Sequence, residues 1–133
     1  MRNWFCLASL FVLLSFSAIS CSGLQTTREW DTTEKTMFVA NQAIRTIDMM
    51  QTSYIFANAA FYEVNPILVA GVSILGPLFV PIYFIGVGIA EYLILDQIEN
   101  PVYRKVAIGV LTAASIGLVY HNNSIGVGLS SPR

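Results

Sequence analysis

Followed from its start, the chain alternates long apolar runs with short polar ones. Residues 4–16 form an uncharged apolar run behind Arg2, and small residues follow in Ser17-Ala18-Ile19-Ser20. A positive start, an apolar core and a small-residue end are the parts of an export signal, so residues 1–20 are expected to be an address and not part of the fold. Residues 21–37 are charged and rich in threonine without apolar periodicity, and they read as a polar tether. Trp30 within it suits the lipid headgroup level or an ordinary surface position about equally. Three apolar segments follow, near residues 38–62, 67–95 and 102–120, with lengths that match about 30 Å of hydrocarbon. The expected fold class is all-α. A signal peptide precedes about three transmembrane or membrane-associated helices, with a membrane domain over 38–123 and a flexible tail over 124–133.

The first segment is the most polar. Asn41, Arg45, Asp48 and Thr52 recur at spacings of four, three and four, which puts them on one helical face. Each charge costs several kcal/mol at the centre of a bilayer if left alone, and the i,i+3 spacing of Arg45 and Asp48 predicts that they pair. The helix then either spans, with this face turned to its neighbours, or lies flat in the interface. The second segment has no charge before Glu91, and Gly76-Pro77 and Pro81 are expected to kink or break it. In the third, Gly109, Ala113 and Gly117 recur every four residues and form a small-residue ridge suited to close helix packing. Between the segments, Glu63-Val64-Asn65-Pro66 and Asn100-Pro101 are helix stops, with Glu63 and Asn65 read as capping groups.

Composition supports the membrane reading: 55% of residues are hydrophobic, 11% are charged and mean hydropathy is +0.63. A soluble domain carries about 25% charged residues. The net charge of -1 offers no basic field for nucleic acid. No metalloprotease, nucleophile-elbow, phosphate-loop or paired-cysteine motif is present, and the single histidine, His121, has no companion ligands or nucleophile. An enzyme is therefore not expected, and no cofactor or metal is expected either.

Ala18-Ile19-Ser20-Cys21 resembles a bacterial lipobox, with Ala18 where that motif usually has Leu. The resemblance implies lipid attachment at Cys21. Ordinary cleavage at the same bond, or retention of residues 1–20 as an anchor, also fits the pattern. An exported Cys21 followed by three spans places Arg104 and Lys105 outside, against the positive-inside rule. A surface-lying first segment followed by a hairpin would obey it.

Asp48-x-x-Gln51-Thr52, then Glu63-x-Asn65-Pro66, two further apolar helices and Asn122-Asn123, resemble a family of small bacterial three-helix membrane proteins of uncharacterised function. The resemblance covers about residues 44–123 and implies architecture, not a reaction. The expected role is structural or partner-binding in the inner membrane, with the N-terminus facing the periplasm or exterior. The expected partners are the lipid bilayer, other membrane proteins or a second copy. The rival expectation is an oligomeric transporter or pore component that uses the polar face of the first helix, since an intramembrane Asp48 is a functional residue by default.

Overall fold

The computed structural model describes residues 29–127. Residues 1–28, which hold the expected signal peptide, Cys21 and most of the expected tether, and residues 128–133 lie outside the described residues. Those described form helices α1 (Thr32–Ala57), α2 (Pro66–Leu75), α3 (Phe79–Asp96) and α4 (Pro101–Ser124), with no strand among them.

Local chemistry sets the helix starts. Asp31 caps α1: its carboxylate accepts from the Glu34 N–H, and the Glu34 carboxylate accepts from the Asp31 N–H, each at 2.8 Å. This reciprocal pair satisfies two otherwise orphaned donors. The helix consequently begins inside the expected tether, six residues before Phe38, and Trp30, Glu34 and Met37 pack against the rest of the fold. Asn65 and Asn100 cap α2 and α4, each followed by a proline in the first turn, where no backbone donor is needed. Between α2 and α3, Gly76 takes φ +71, a left-handed conformation that costs glycine little. The expected break therefore occurs at Gly76–Leu78, while Pro81 is accommodated near the start of α3.

At 1.5 Å per residue, α1 is roughly 39 Å long, α3 roughly 27 Å and α4 roughly 36 Å. Glu34 meets Arg104 near the starts of α1 and α4, and Asp48 meets Asn122 near their ends, so these two helices run parallel. Trp30 meets Asp96 while Met49 packs with Val80, so α3 runs antiparallel to α1. The short α2 folds against the start of α3, with Leu68 packed on Met49 and Val80.

The bundle is inverted relative to a soluble protein. Glu34, Asn41, Gln51, Thr52, Glu91, Asp96, Arg104 and Ser115 are buried, while Ile74, Ile94, Val110 and Leu118 are exposed. Helices α3 and α4 are long and apolar enough to cross a membrane. A soluble core helix of that composition would be mostly buried, yet only 22% of the apolar stretch of α3 and 17% of that of α4 is buried. The expected flexible tail from residue 124 is ordered at its start: Val127 is fully buried, and its carbonyl accepts from Gln51.

Candidate functional site

The face of α1 that bears Asn41, Arg45, Asp48 and Thr52 turns inward, toward α3 and α4. Because 3.6-residue periodicity extends this face to Glu34 and Phe38, α1 contributes a continuous stripe to the interior. The stripe is layered.

The first layer lies where α1 and α4 begin. Trp30 is stacked on Tyr92, with ring centroids 5.2 Å apart, and lies edge-on to Phe38 at 5.6 Å. Its indole N–H donates to Asp96 at 2.9 Å, and the Arg104 guanidinium is 5.2 Å from its ring centroid. Arg104, only 2% exposed, donates to the Ile98 carbonyl through Nε and Nη2 and to Glu34 through Nη1 at 3.3 Å. Outside this layer Lys105 pairs with Asp31 at 2.7 Å. The Lys105 hydrogen bond, with help from the Glu34 N–H, holds the Asp31 carboxyl below the usual carboxylate range. An apolar layer of Phe38, Leu95 and Ile108 follows.

The next layer centres on Glu91. One carboxylate oxygen pairs with Arg45; the other accepts from Gln42 at 3.2 Å and from Asn41 at 3.4 Å. Asn41 in turn accepts from the Ser115 hydroxyl at 3.2 Å. Gly88 makes room for the Gln42 amide: a Cβ there would stand 2.7 Å from Gln42 Oε1. The expected Arg45–Asp48 pair is thus replaced by Arg45–Glu91, because α3 brings a carboxylate directly onto the inward face. Asp48 instead accepts from Asn122 at 3.0 Å, and Asn122 also donates to Gln51 at 3.2 Å. Gln51 then donates to the Val127 and Val119 carbonyls, and Thr52 is buried beside it in sequence.

Asn65 caps α2 as expected, whereas Glu63 caps no helix, since α1 already ends at Ala57 with Asn58 as its C-cap. The Glu63 carboxylate accepts from the Asn65 N–H at 2.8 Å, Asn65 Oδ1 accepts from the Ile67 N–H at 3.0 Å, and Pro66 opens α2. The Asn65 amide also donates to the Tyr83 hydroxyl at 3.2 Å, tying α2 to α3. Gly109, Ala113 and Gly117 are not among the buried residues of α4. Ala113 and Gly117 are exposed, and a Cβ at either glycine would meet open space. The helix contacts of α4 run instead through Arg104, Ile108 and Ser115.

Sequence reasoning did not assign Trp30, Glu34, Arg104, Ser115 or Asn122 to the interior. The Asp31-x-x-Glu34 capping box was a readable signal for the first two. The inward position of Asn122 depends on the parallel alignment of α1 and α4, which no local pattern specifies. Among the described residues no cluster of His, Cys, Asp and Glu side chains could hold a metal. Comparisons with protein-family models, with curated proteins and with solved structures found no match to this chain.

Proposed function

We propose that the chain is a small integral membrane protein of the bacterial inner membrane that acts by binding and organising partners there. The observation that carries this is the inversion of the bundle, with ionic and amide groups inside and aliphatic side chains outside. In water such an exterior would favour association, whereas in lipid it is the favoured arrangement. The lengthwise packing of α1 against α3 and α4 supports α1 as a third span, its polar stripe satisfied by Glu91, Ser115 and Asn122. The outward ridge Gly109-Ala113-Gly117 gives a second copy or another membrane helix a place to approach closely. The experiment has two parts. Alkaline-carbonate extraction should leave the protein in the membrane pellet. Gly109→Leu with Gly117→Leu should abolish crosslinking to a second copy or a defined partner. A protein extracted by carbonate, or one that is monomeric and uncrosslinked in cells, would sink the reading.

An exported N-terminus, with Cys21 lipidated, follows from the signal-like pattern of residues 1–21. It is tested by the intact mass of membrane-extracted wild type and Cys21→Ala. A second orientation is favoured by the parallel course of α1 and α4, which gathers Lys35, Arg104 and Lys105 at one end of the bundle. The positive-inside rule turns that end toward the cytoplasm. A reporter fused to the C-terminus separates the two: it lies in the cytoplasm under export of the N-terminus and outside under the alternative. The pore reading is supported by the polar stripe, although α3 and α4 already cover that stripe within one protomer.

A further inference from the structure

The exterior of α4 carries its own depth scale. Tyr103 and Tyr120 are exposed near its two ends. At 1.5 Å per residue they are roughly 26 Å apart along the axis, close to the hydrocarbon thickness of a bilayer, and exposed tyrosines favour its two headgroup levels. Between them α4 presents Val106, Val110, Ile116 and Leu118 outward. Beyond Tyr120 it presents His121, Asn123 and Ser124. Asn122 bonds to Asp48 and Met49 packs with Val80, so the end of α4, residues 48–49 of α1 and the start of α3 share one headgroup level.

Helix α1 runs on from Met49 to Ala57, roughly 12 Å past that level. The chain then returns, and the contacts of α2 fix how far. Leu68 packs on Met49 and Val80, the Asn65 amide donates to the Tyr83 hydroxyl, and the Phe79 ring fills the space over Gly71 where a side chain would stand. Positions 65 and 71 thus meet 83 and 79, which sets α2 antiparallel to α3 across the turn at Gly76–Leu78. Residues 67–95 form a hairpin and not one straight crossing. With 10 residues α2 is roughly 15 Å long, half of what a crossing needs.

The chemistry of this hairpin suits shallow burial. Only Leu68 and Gly71 of α2 are buried, while Ile67, Val69, Ile74 and Leu75 are exposed. No charged residue occurs from Val64 to Ala90, so the apolar exterior of α2 runs without a break into that of α3. The approach to α2 supplies its own acceptors: side-chain oxygens of Asn58, Glu63 and Asn65 accept from the N–H groups of Ala60, Asn65 and Ile67. Backbone donors beside hydrocarbon need such partners within the protein.

We propose that α2 is a surface wedge, inserted in only the leaflet at which α1 and α4 end, and that the lipid of that leaflet is the partner of its exposed face. It enters roughly 5–10 Å, the depth usual for a helix held at the boundary of headgroups and acyl chains. The first crossing ends in α1, α2 dips into the surface, and α3 begins the return crossing. The inference rests on the membrane reading and adds to it which lipid layer the hairpin occupies.

The test uses the full chain in liposomes, with a nitroxide attached to Ala57→Cys, Ile67→Cys, Ile74→Cys or Ile89→Cys. All four positions are exposed, and the unsubstituted chain gives the background from Cys6 and Cys21. Oxygen concentrates in hydrocarbon and a water-soluble nickel chelate stays outside, so the ratio of their collision rates with the label ranks depth. Ile89 should be deepest and Ala57 aqueous. Ile67 and Ile74 should be shallow, with Ile74 no deeper than Ile67. A single crossing over 67–95 would instead set Ile74 roughly 10 Å deeper than Ile67, and that order overturns the wedge. So does nickel access at Ile67 and Ile74 equal to that at Ala57, or a label at Ala57 within hydrocarbon. An aqueous Ile89 would remove the membrane reading together with this inference, whereas a deep Ile89 beside any of the other failures would remove the wedge alone.

Discussion

The two charged regions of the interior manage the same cost in opposite ways. Where α1 and α4 begin, Arg104 is held by fixed partners on several sides: the Ile98 carbonyl, Glu34 and the face of Trp30. Near the middle of α1, Arg45 has one direct carboxylate partner, an unused Nε and a second carboxylate a turn away. The first arrangement over-determines a single geometry. The second leaves an alternative within reach. A buried cation can therefore be held by several fixed partners or by a single direct carboxylate, and each pairing offsets a desolvation cost.

The comparison is broken most severely at Arg104. Arg104→Leu leaves Glu34 buried without its cation and removes the guanidinium that lies over the Trp30 ring. We expect a loss of about 3–5 kcal/mol, the usual cost of unpairing a buried charge. Unfolding in mild micelles titrated with a denaturing detergent measures it. A loss under about 1 kcal/mol would mean that the layer hydrates without harm. Trp30→Ala comes next, at about 3 kcal/mol, because a buried indole and its bond to Asp96 are lost together. If Trp30 simply rested at the headgroups, the same change would cost under about 0.5 kcal/mol.

The layered interior explains which parts could be read from sequence. Helical periodicity placed Asn41, Arg45, Asp48 and Thr52 on one face because 3.6-residue spacing is a local property. Asn65-Pro66, Asn100-Pro101 and Gly76-Pro77 marked real helix boundaries for the same reason: caps and prolines act within a few residues. Partner choice was not legible. Arg45 has Asp48 on its own helix and Glu91 forty-six positions away, and only the packing of α3 on α1 selects Glu91. The Trp30–Glu34 region was misread as tether because polar residues dominate residues 21–37. Its burial depends on Asp96 and Arg104, which lie far along the chain.

Gly88 sharpens the contrast between the two charged regions. In Gly88→Ala the new methyl would crowd the Gln42 amide, which is the mobile end of a side chain and can shift aside. The expected cost is about 1 kcal/mol, the net worth of the Gln42–Glu91 hydrogen bond. Gln42→Ala should remove most of this sensitivity, so measuring both changes together checks that the effect passes through Gln42. Gly117→Leu should change protomer stability by under about 0.5 kcal/mol, since its side chain enters open space. Any effect on crosslinking therefore reports association and not folding.

The smallest effect belongs to the outermost pair, Lys105–Asp31. Its sign follows from the lowered Asp31 carboxyl pKa, which Lys105 causes first and the Glu34 N–H second. A carboxyl whose folded pKa is depressed favours the folded state while ionised. The contribution is complete above the ordinary carboxylate range and is lost as pH falls through that range to the lower folded value. Lys105 stays protonated throughout this window, so the change belongs to Asp31. Asp31→Asn keeps a good capping side chain while removing the charge, which separates the ion pair from the cap. The stability difference between wild type and Asp31→Asn should be small at neutral pH, shrink further with added salt and disappear toward acid. A difference that persists in acid would mean that the cap, and not Lys105, makes Asp31 valuable at the start of α1.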